Sequence, residues 1–91
     1  MGFVFEWDQV KARTNARKHK VTFEEAVSVF SDPLLVTFPD EEHSDVEERF
    51  ISIGRSERGR ILLVVHTNFG DAIRLISCRK ATAGERKSYE Q

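Results

Sequence analysis

Arg49-Phe50-Ile51-Ser52-Ile53-Gly54-Arg55, Ile61-Leu62-Leu63-Val64-Val65-His66-Thr67 and the run from Ala72 to Lys80 decide how this chain folds. Each is rich in β-branched or aromatic residues, the types that fit a pleated, half-buried surface. Glu57-Arg58-Gly59 separates the first two, with Gly59 able to supply a positive φ in a hairpin turn. Asn68-Phe69-Gly70-Asp71 separates the second pair. Strands joined by such short turns pair antiparallel, so the three runs predict a meander. The middle run is apolar on both faces, as expected of a central strand. His66 alternates with Leu62 and Val64 and so shares their face.

Upstream, Phe3, Phe5 and Trp7 alternate with Val4 and Glu6, which predicts a short strand. Asp8 is a fitting N-cap for a helix over about residues 9–19. On that helix Ala12, Ala16 and His19 form a narrow stripe with Asn15 beside it. Lys11 and Lys18 flank the stripe, and Arg13, Arg17 and Lys20 lie opposite. Thr22 and Glu25 have capping-box spacing. Phe23, Ala26, Val27 and Phe30 then recur at helical intervals, and Asp32-Pro33 stops the helix. Leu34 to Phe38 reads as a strand closed by Pro39. Thr82 and Glu85 form a second capping box that opens a short polar helix. The expectation is one α+β domain over residues 1–91, ordered β-α-α-β-β-β-β-α. Its sheet is antiparallel, with the helices against one face.

The chain has 91 residues and a single cysteine, Cys78, so an internal disulfide and a multi-cysteine zinc site are excluded. Cys78 reads as a small buried thiol. No apolar run reaches the ~20 residues of a membrane helix. The first residues lack the pattern of a signal peptide, and the cytoplasm is the expected compartment. The net charge of −1 conceals an asymmetry. Residues 40–48 hold six of the 15 acids and no Lys or Arg, and the rest of the chain carries 14 Lys and Arg against nine acids. Such an asymmetry points to a polyanion on one face, or to two solvated faces.

No phosphate-binding loop, nucleophile elbow or zinc-binding helix motif is present. Asp40, Glu42, His43 and Asp45 could offer ligands to a divalent cation, but they lack the spacing and turn glycine of a calcium loop. No metal or cofactor is therefore expected. Arg49, Arg74 and Arg79 lie on or at the ends of strands, where a scaffold can aim a guanidinium at a phosphate. RNA cleavage without a metal needs a base for the 2′-hydroxyl, cations for the phosphorane and an acid for the leaving 5′-oxygen. His, Glu, Lys and Arg can fill those roles. On residues alone, the reading ends at a small α+β domain with a cationic face.

Phe5-Glu6-Trp7-Asp8 followed by Lys11, Asn15 and Arg17-Lys18-His19 resembles the opening of BrnT-type toxins. The likeness continues through Val21-Thr22-Phe23-Glu24-Glu25-Ala26, Val29-Phe30-Ser31-Asp32-Pro33, His43-Ser44-Asp45 and Glu47-Glu48-Arg49-Phe50. Ile53-Gly54, Ile73-Arg74, Ile76-Ser77, Arg79-Lys80-Ala81-Thr82, Glu85-Arg86 and Tyr89 complete it. The resemblance implies a RelE-like fold and a ribonuclease toxin of a bacterial type II toxin–antitoxin pair. It also implies a BrnA-type antitoxin that carries the DNA-binding domain, so that the toxin meets operator DNA only through its partner. Carried onto this chain, it points to Lys18, His19, Glu48, Arg49, Arg74 and Arg79, with Arg49 and Arg79 read as phosphate clamps and Glu48 as the base; His66, which departs from the family pattern, is a further candidate for acid–base work. Lys18, His19, Arg74 and Lys80 would bind the RNA. Two departures stand out. Lys20 occupies a position where the family often has Gly, and His66 one where Tyr is common. Two other readings compete: a non-catalytic module that co-represses its operon with a DNA-binding antitoxin, and a metal-dependent hydrolase using the acidic loop.

Overall fold

The structure is a computed structural model that describes residues 3–43 and 47–90. Strand β1 (Val4–Glu6) leads into helix α1 (Gln9–His19) and helix α2 (Phe23–Ser28). Strands β2 (Val36–Pro39), β3 (Phe50–Arg55), β4 (Ile61–Phe69) and β5 (Ala72–Lys80) follow, and helix α3 (Ala83–Glu90) ends the chain. The Asp8 carboxylate accepts hydrogen bonds from the Val10 and Lys11 amides and so starts α1. At the other end Lys20 takes the left-handed conformation (φ 61°) that a glycine would adopt without strain, and its amide still closes on the Ala16 carbonyl. Thr22 caps α2 through the Glu25 amide. The helix converts after Ser28 to a 3₁₀ turn at Val29–Ser31, sooner than the spacing of Phe30 suggests. The strand expected from Leu34 begins instead at Val36. Asp32 draws the Leu34 amide to its side chain and the Leu35 amide to its carbonyl, holding both residues in a turn.

The five strands lie in the order β1-β5-β4-β3-β2. Strands β2 to β5 form the expected antiparallel meander, with Phe50 opposite His66 and Val64 opposite Cys78. Two expectations are corrected. The sheet is mixed and not wholly antiparallel, because β1 pairs in parallel with β5, Phe5 opposite Ile73. The chain crosses both helices and three strands between them, which a parallel neighbour allows and a hairpin does not. Nor do the helices share one face. Leu62, Val64, Ile73, Leu75 and Cys78 pack under Val21, Phe23, Ala26 and Val29 on the first face. Ile53, Ile61 and Leu63 point the other way, and Tyr89 of α3 covers them on the second face. A central strand that is apolar on both sides needs a cover on each.

Asn15 ties α1 to the sheet. Its side-chain nitrogen donates to the Cys78 carbonyl (2.9 Å) and the Val21 carbonyl (3.1 Å), and its oxygen accepts from the Cys78 amide (3.1 Å). Strand β1 reaches only as far as Arg74 along β5. Beyond that point the side chain of Asn15 does what the next residue of an edge strand would do, satisfying both backbone groups of Cys78. Gly54 is the other close approach. A Cβ there would stand 2.9 Å from Leu35 Cδ1 and 3.3 Å from the Val29 Cβ and carbonyl oxygen.

Candidate functional site

The second face of the sheet is covered by α3 only over Ile53, Ile61 and Leu63. Its remaining half carries the arginines. Arg79 lies opposite Leu63, and Arg74 lies between Thr67 on one side and Glu6 on the other. Arg49 immediately precedes Phe50, so alternation sets it on the face of Ile51 and Ile53, in line with Thr67. Arg74 and Arg79 are five residues apart, and in a regular strand they would point to opposite faces. A β-bulge reconciles them. Val65 pairs with Ser77 and His66 with Leu75, so Ile76 is the extra residue and the alternation of β5 is reset there.

The three guanidinium groups are held differently. Arg79 forms a two-pronged ion pair with Glu85 (2.8 and 2.9 Å) and also donates to the Lys80 carbonyl. Glu85 is itself fixed by the second capping box, accepting from the Thr82 amide while its own amide donates to Thr82 Oγ1. The paired Arg79, helped by these Thr82 bonds, holds the Glu85 carboxyl down to about 2. Among the described residues Arg74 ion-pairs with Glu6 alone, at 3.6 Å, with both side chains about half exposed, so its charge is barely committed. Arg49 is half-buried, and its carbonyl accepts the Asp40 amide at 2.9 Å. Between Arg49 and Arg74 sits Thr67, fully buried, with a hydroxyl that has no hydrogen-bond partner among the described residues. Glu48 is exposed, next to Arg49 at the entry to β3.

Lys18 and His19 lie beside this face. They line a cavity of about 260 Å³ between α1 and β5, with Lys11, Thr14, Ile76 and Ser77. No Asp or Glu lines it, and Ser77 belongs to the same β5 face as Arg74 and Arg79. The bulge thus joins a basic helix edge to an arginine-bearing sheet face. A wider cavity of about 440 Å³ near the 3₁₀ turn includes Asp32 and Glu57 in its lining, a poorer match for a polyanion.

Two of the expected site residues stand elsewhere. His66 is on the first face, 1% exposed, edge-on to Phe30 (5.1 Å) and stacked on Phe50 (6.0 Å). Burial lowers its basicity and keeps the imidazole neutral. Nε2 is 2.7 Å from Ser52 Oγ and Nδ1 is 3.0 Å from Asn68 Oδ1. Ser52 Oγ is in turn 2.7 Å from Thr37 Oγ1, on an exposed residue of the edge strand. With Nδ1 donating to Asn68, Nε2 accepts from Ser52, and the chain runs from the imidazole to the surface. Lys80 belongs to another cavity at the opposite end of β5. Cys78 is buried, and desolvation pushes its thiol up to about 12, far from a nucleophile's range.

Sequence reasoning did not reach Ser52, Asn68 or Thr37 as partners of His66. A polar Ser52 at a core-facing strand position was the available signal. Glu85 was legible as a cap but not as the partner of Arg79. Among the described residues, no group of three or more His, Cys, Asp or Glu could hold a metal ion. Ser44, Asp45 and Val46 of the acidic loop lie outside the described residues. No described helix is long and apolar enough to cross a membrane.

The family model described as "Ribonuclease toxin, BrnT, of type II toxin-antitoxin system" matches residues 7–85. The crystal structure of the Brucella abortus ribonuclease toxin, BrnT, is similar at 28% identity with a TM-score of 0.66. The likeness covers 90% of this chain and 97% of that one. Comparison with curated proteins gives no match.

Proposed function

We propose that this chain, which belongs to the BrnT family of type II toxin–antitoxin ribonuclease toxins, cuts RNA at the arginine face without a metal ion. The observation that carries this reading is the bulge that turns Arg74 onto the side of the sheet that already bears Arg79 and, by alternation, Arg49. Three guanidinium groups on one partly uncovered face supply the positive charge that a phosphorane needs.

In the proposed reaction Glu48, which lies before the paired residues of the strand and is not bound by their alternation, takes the proton from a ribose 2′-hydroxyl. The 2′-oxygen attacks the adjacent phosphorus, the bond from phosphorus to the 5′-oxygen breaks, and that oxygen takes a proton from solvent water, to which Glu48 later returns its own. The products are a 2′,3′-cyclic phosphate and a 5′-hydroxyl. Arg49 and Arg79 hold the non-bridging oxygens. Glu85 fixes the plane of Arg79, so less side-chain freedom is lost when RNA arrives. Lys18, His19 and Arg74 hold the backbone along the α1 edge. His66 is too deeply buried to touch RNA and acts as a positioning residue. Through Ser52 and Phe50 it fixes the strand that delivers Glu48 and Arg49. His66→Asn is therefore expected to lower the rate at every pH without moving the pH profile, whereas a shifted profile would mark it as a proton-transfer group.

A toxin of this type works with an antitoxin partner. We take that partner to be BrnA-like, to neutralise the toxin in the cytoplasm, and to be the component that contacts operator DNA. The test is cleavage of single-stranded RNA by the purified chain in EDTA, with the new ends identified. Cyclic-phosphate ends made by the wild type and not by an Arg49→Ala, Arg79→Ala variant support the reading. RNA left intact by a folded chain that still binds its antitoxin supports the co-repressor module instead.

A further inference from the structure

We infer that the hairpin end of the sheet holds a second phosphate-binding site, distinct from the arginine face. A cavity of about 240 Å³ opens there among the β3–β4 turn, the end of β5 and α3. Its charged lining is Arg55, Arg60, Lys80 and Arg86, and no Asp or Glu lines it. Arg60 is committed. It donates to the buried Glu25 carboxylate through Nε (2.9 Å) and Nη2, and to the Lys20 carbonyl. The other three are not neutralised to the same degree. Arg86 meets Glu90 at 3.4 Å with both side chains over half exposed, a contact of little energetic weight. Arg55 Nη1 donates to the uncharged Gly59 carbonyl at 3.2 Å. Asp32 attracts the Arg55 charge from beyond ion-pair distance, and its carboxylate accepts the Tyr89 hydroxyl and the Leu34 and Arg55 amides. The Lys80 ammonium meets no carboxylate among the described residues.

Cations drawn around one concavity repel one another, and a ligand bearing concentrated negative charge relieves that repulsion. Two planar guanidinium forks and an ammonium suit the oxygens of a phosphoryl group. The uncharged part of the lining is Gly59, Ile61 and Ala81. The phosphoryl group has two sources, an RNA strand or a free mononucleotide. From Arg74 to Lys80 the sheet spans roughly 20 Å at strand rise, so one RNA strand can cross both sites. Only that source rests on the ribonuclease reading.

The experiment is a titration of the full chain with inorganic pyrophosphate, followed by backbone amide shifts. Saturable shifts are expected at Gly59, Arg60, Lys80, Ala81 and Arg86. Lys80→Ala and Arg55→Ala are each expected to weaken binding about tenfold, as the loss of a charge-assisted hydrogen bond implies. Arg74→Ala is expected to leave it unchanged. Both test residues are exposed, and their unfolding curves are recorded alongside and expected to match the wild type's. Absence of saturation, or shifts confined to residues 49, 67 and 74, overturns the proposal. Single-stranded RNA and AMP are then compared. RNA affinity that falls with Lys80→Ala while AMP fails to bind identifies the strand as the source, and saturable AMP binding with unaltered RNA affinity identifies the nucleotide. Pyrophosphate binding without RNA cleavage retains this site and removes only the ribonuclease reading.

Discussion

Replacing Asn15 with Leu keeps a side chain of similar size and removes every hydrogen bond that joins α1 to β5. Three buried backbone groups then lose their partner: the Cys78 amide, the Cys78 carbonyl and the Val21 carbonyl. A buried backbone group left unpaired costs about 1–3 kcal/mol, so the loss is at least about 3 kcal/mol. A domain of this length has a total stability of roughly 5–14 kcal/mol. The substitution therefore removes a large share of it. Urea unfolding followed by far-UV circular dichroism reads this directly. With a slope of about 1 kcal/mol per molar urea, the midpoint falls by roughly 3 M. Asn15→Asp is expected to be worse, because it presents a carboxylate to two carbonyl oxygens. A loss below about 1 kcal/mol for Asn15→Leu would refute the reasoning. It would mean that α1 is held by the packing of Ala12 and Trp7 against the core and not by this amide.

Acid should destabilise the fold through its paired carboxylates. Glu85, held down to about 2 by Arg79, and Glu25, lowered by Arg60, both have folded values below their ordinary one of 4.5. Their contribution is fully present above about pH 5 and is lost as the pH falls toward 2. Melting temperatures measured across that window should fall, and Glu85→Gln should flatten part of the slope. A melting temperature that rises on acidification would contradict this. Gly54→Ala drives a Cβ to within 2.9 Å of Leu35 and should cost about 1–3 kcal/mol by overpacking, as read by the urea midpoint. A neutral result would show that Leu35 can swing aside.

Much of the fold was legible because its signals are local. Asp8, Thr22 and Thr82 announce helix starts through their own side chains, and the three long strands announce themselves by composition. The parallel β1 was not legible, since three residues carry no record of which strand they join. The second helical face was half legible: Ile61 to Val65 is apolar on both sides, which requires two covers but does not name them. In the candidate site, Arg49, Arg74 and Arg79 were legible as arginines on or at the ends of strands. That Arg74 and Arg79 share a face was not, because a bulge at Ile76 has no fixed sequence mark and reverses every side chain beyond it. Arg60 was not legible as part of a pair, since its partner Glu25 already has a local role as the closing residue of a capping box. The structure turns that carboxylate inward to Arg60 and Ser56 instead.

Arg74 offers the most direct test of the central claim that the arginine face is the RNA-cleaving site. Its one ion pair among the described residues is a loose, exposed contact with Glu6, so Arg74→Ala should leave the fold intact. The measurement is the initial rate of cleavage of a short single-stranded RNA in EDTA, at matched concentrations of folded wild type and Arg74→Ala. The account predicts a rate at least about tenfold lower with an unchanged unfolding midpoint, as expected when a cation that holds the RNA backbone in register for the reaction is lost. An undiminished rate in a folded Arg74→Ala protein would contradict it and move the chemistry off this face.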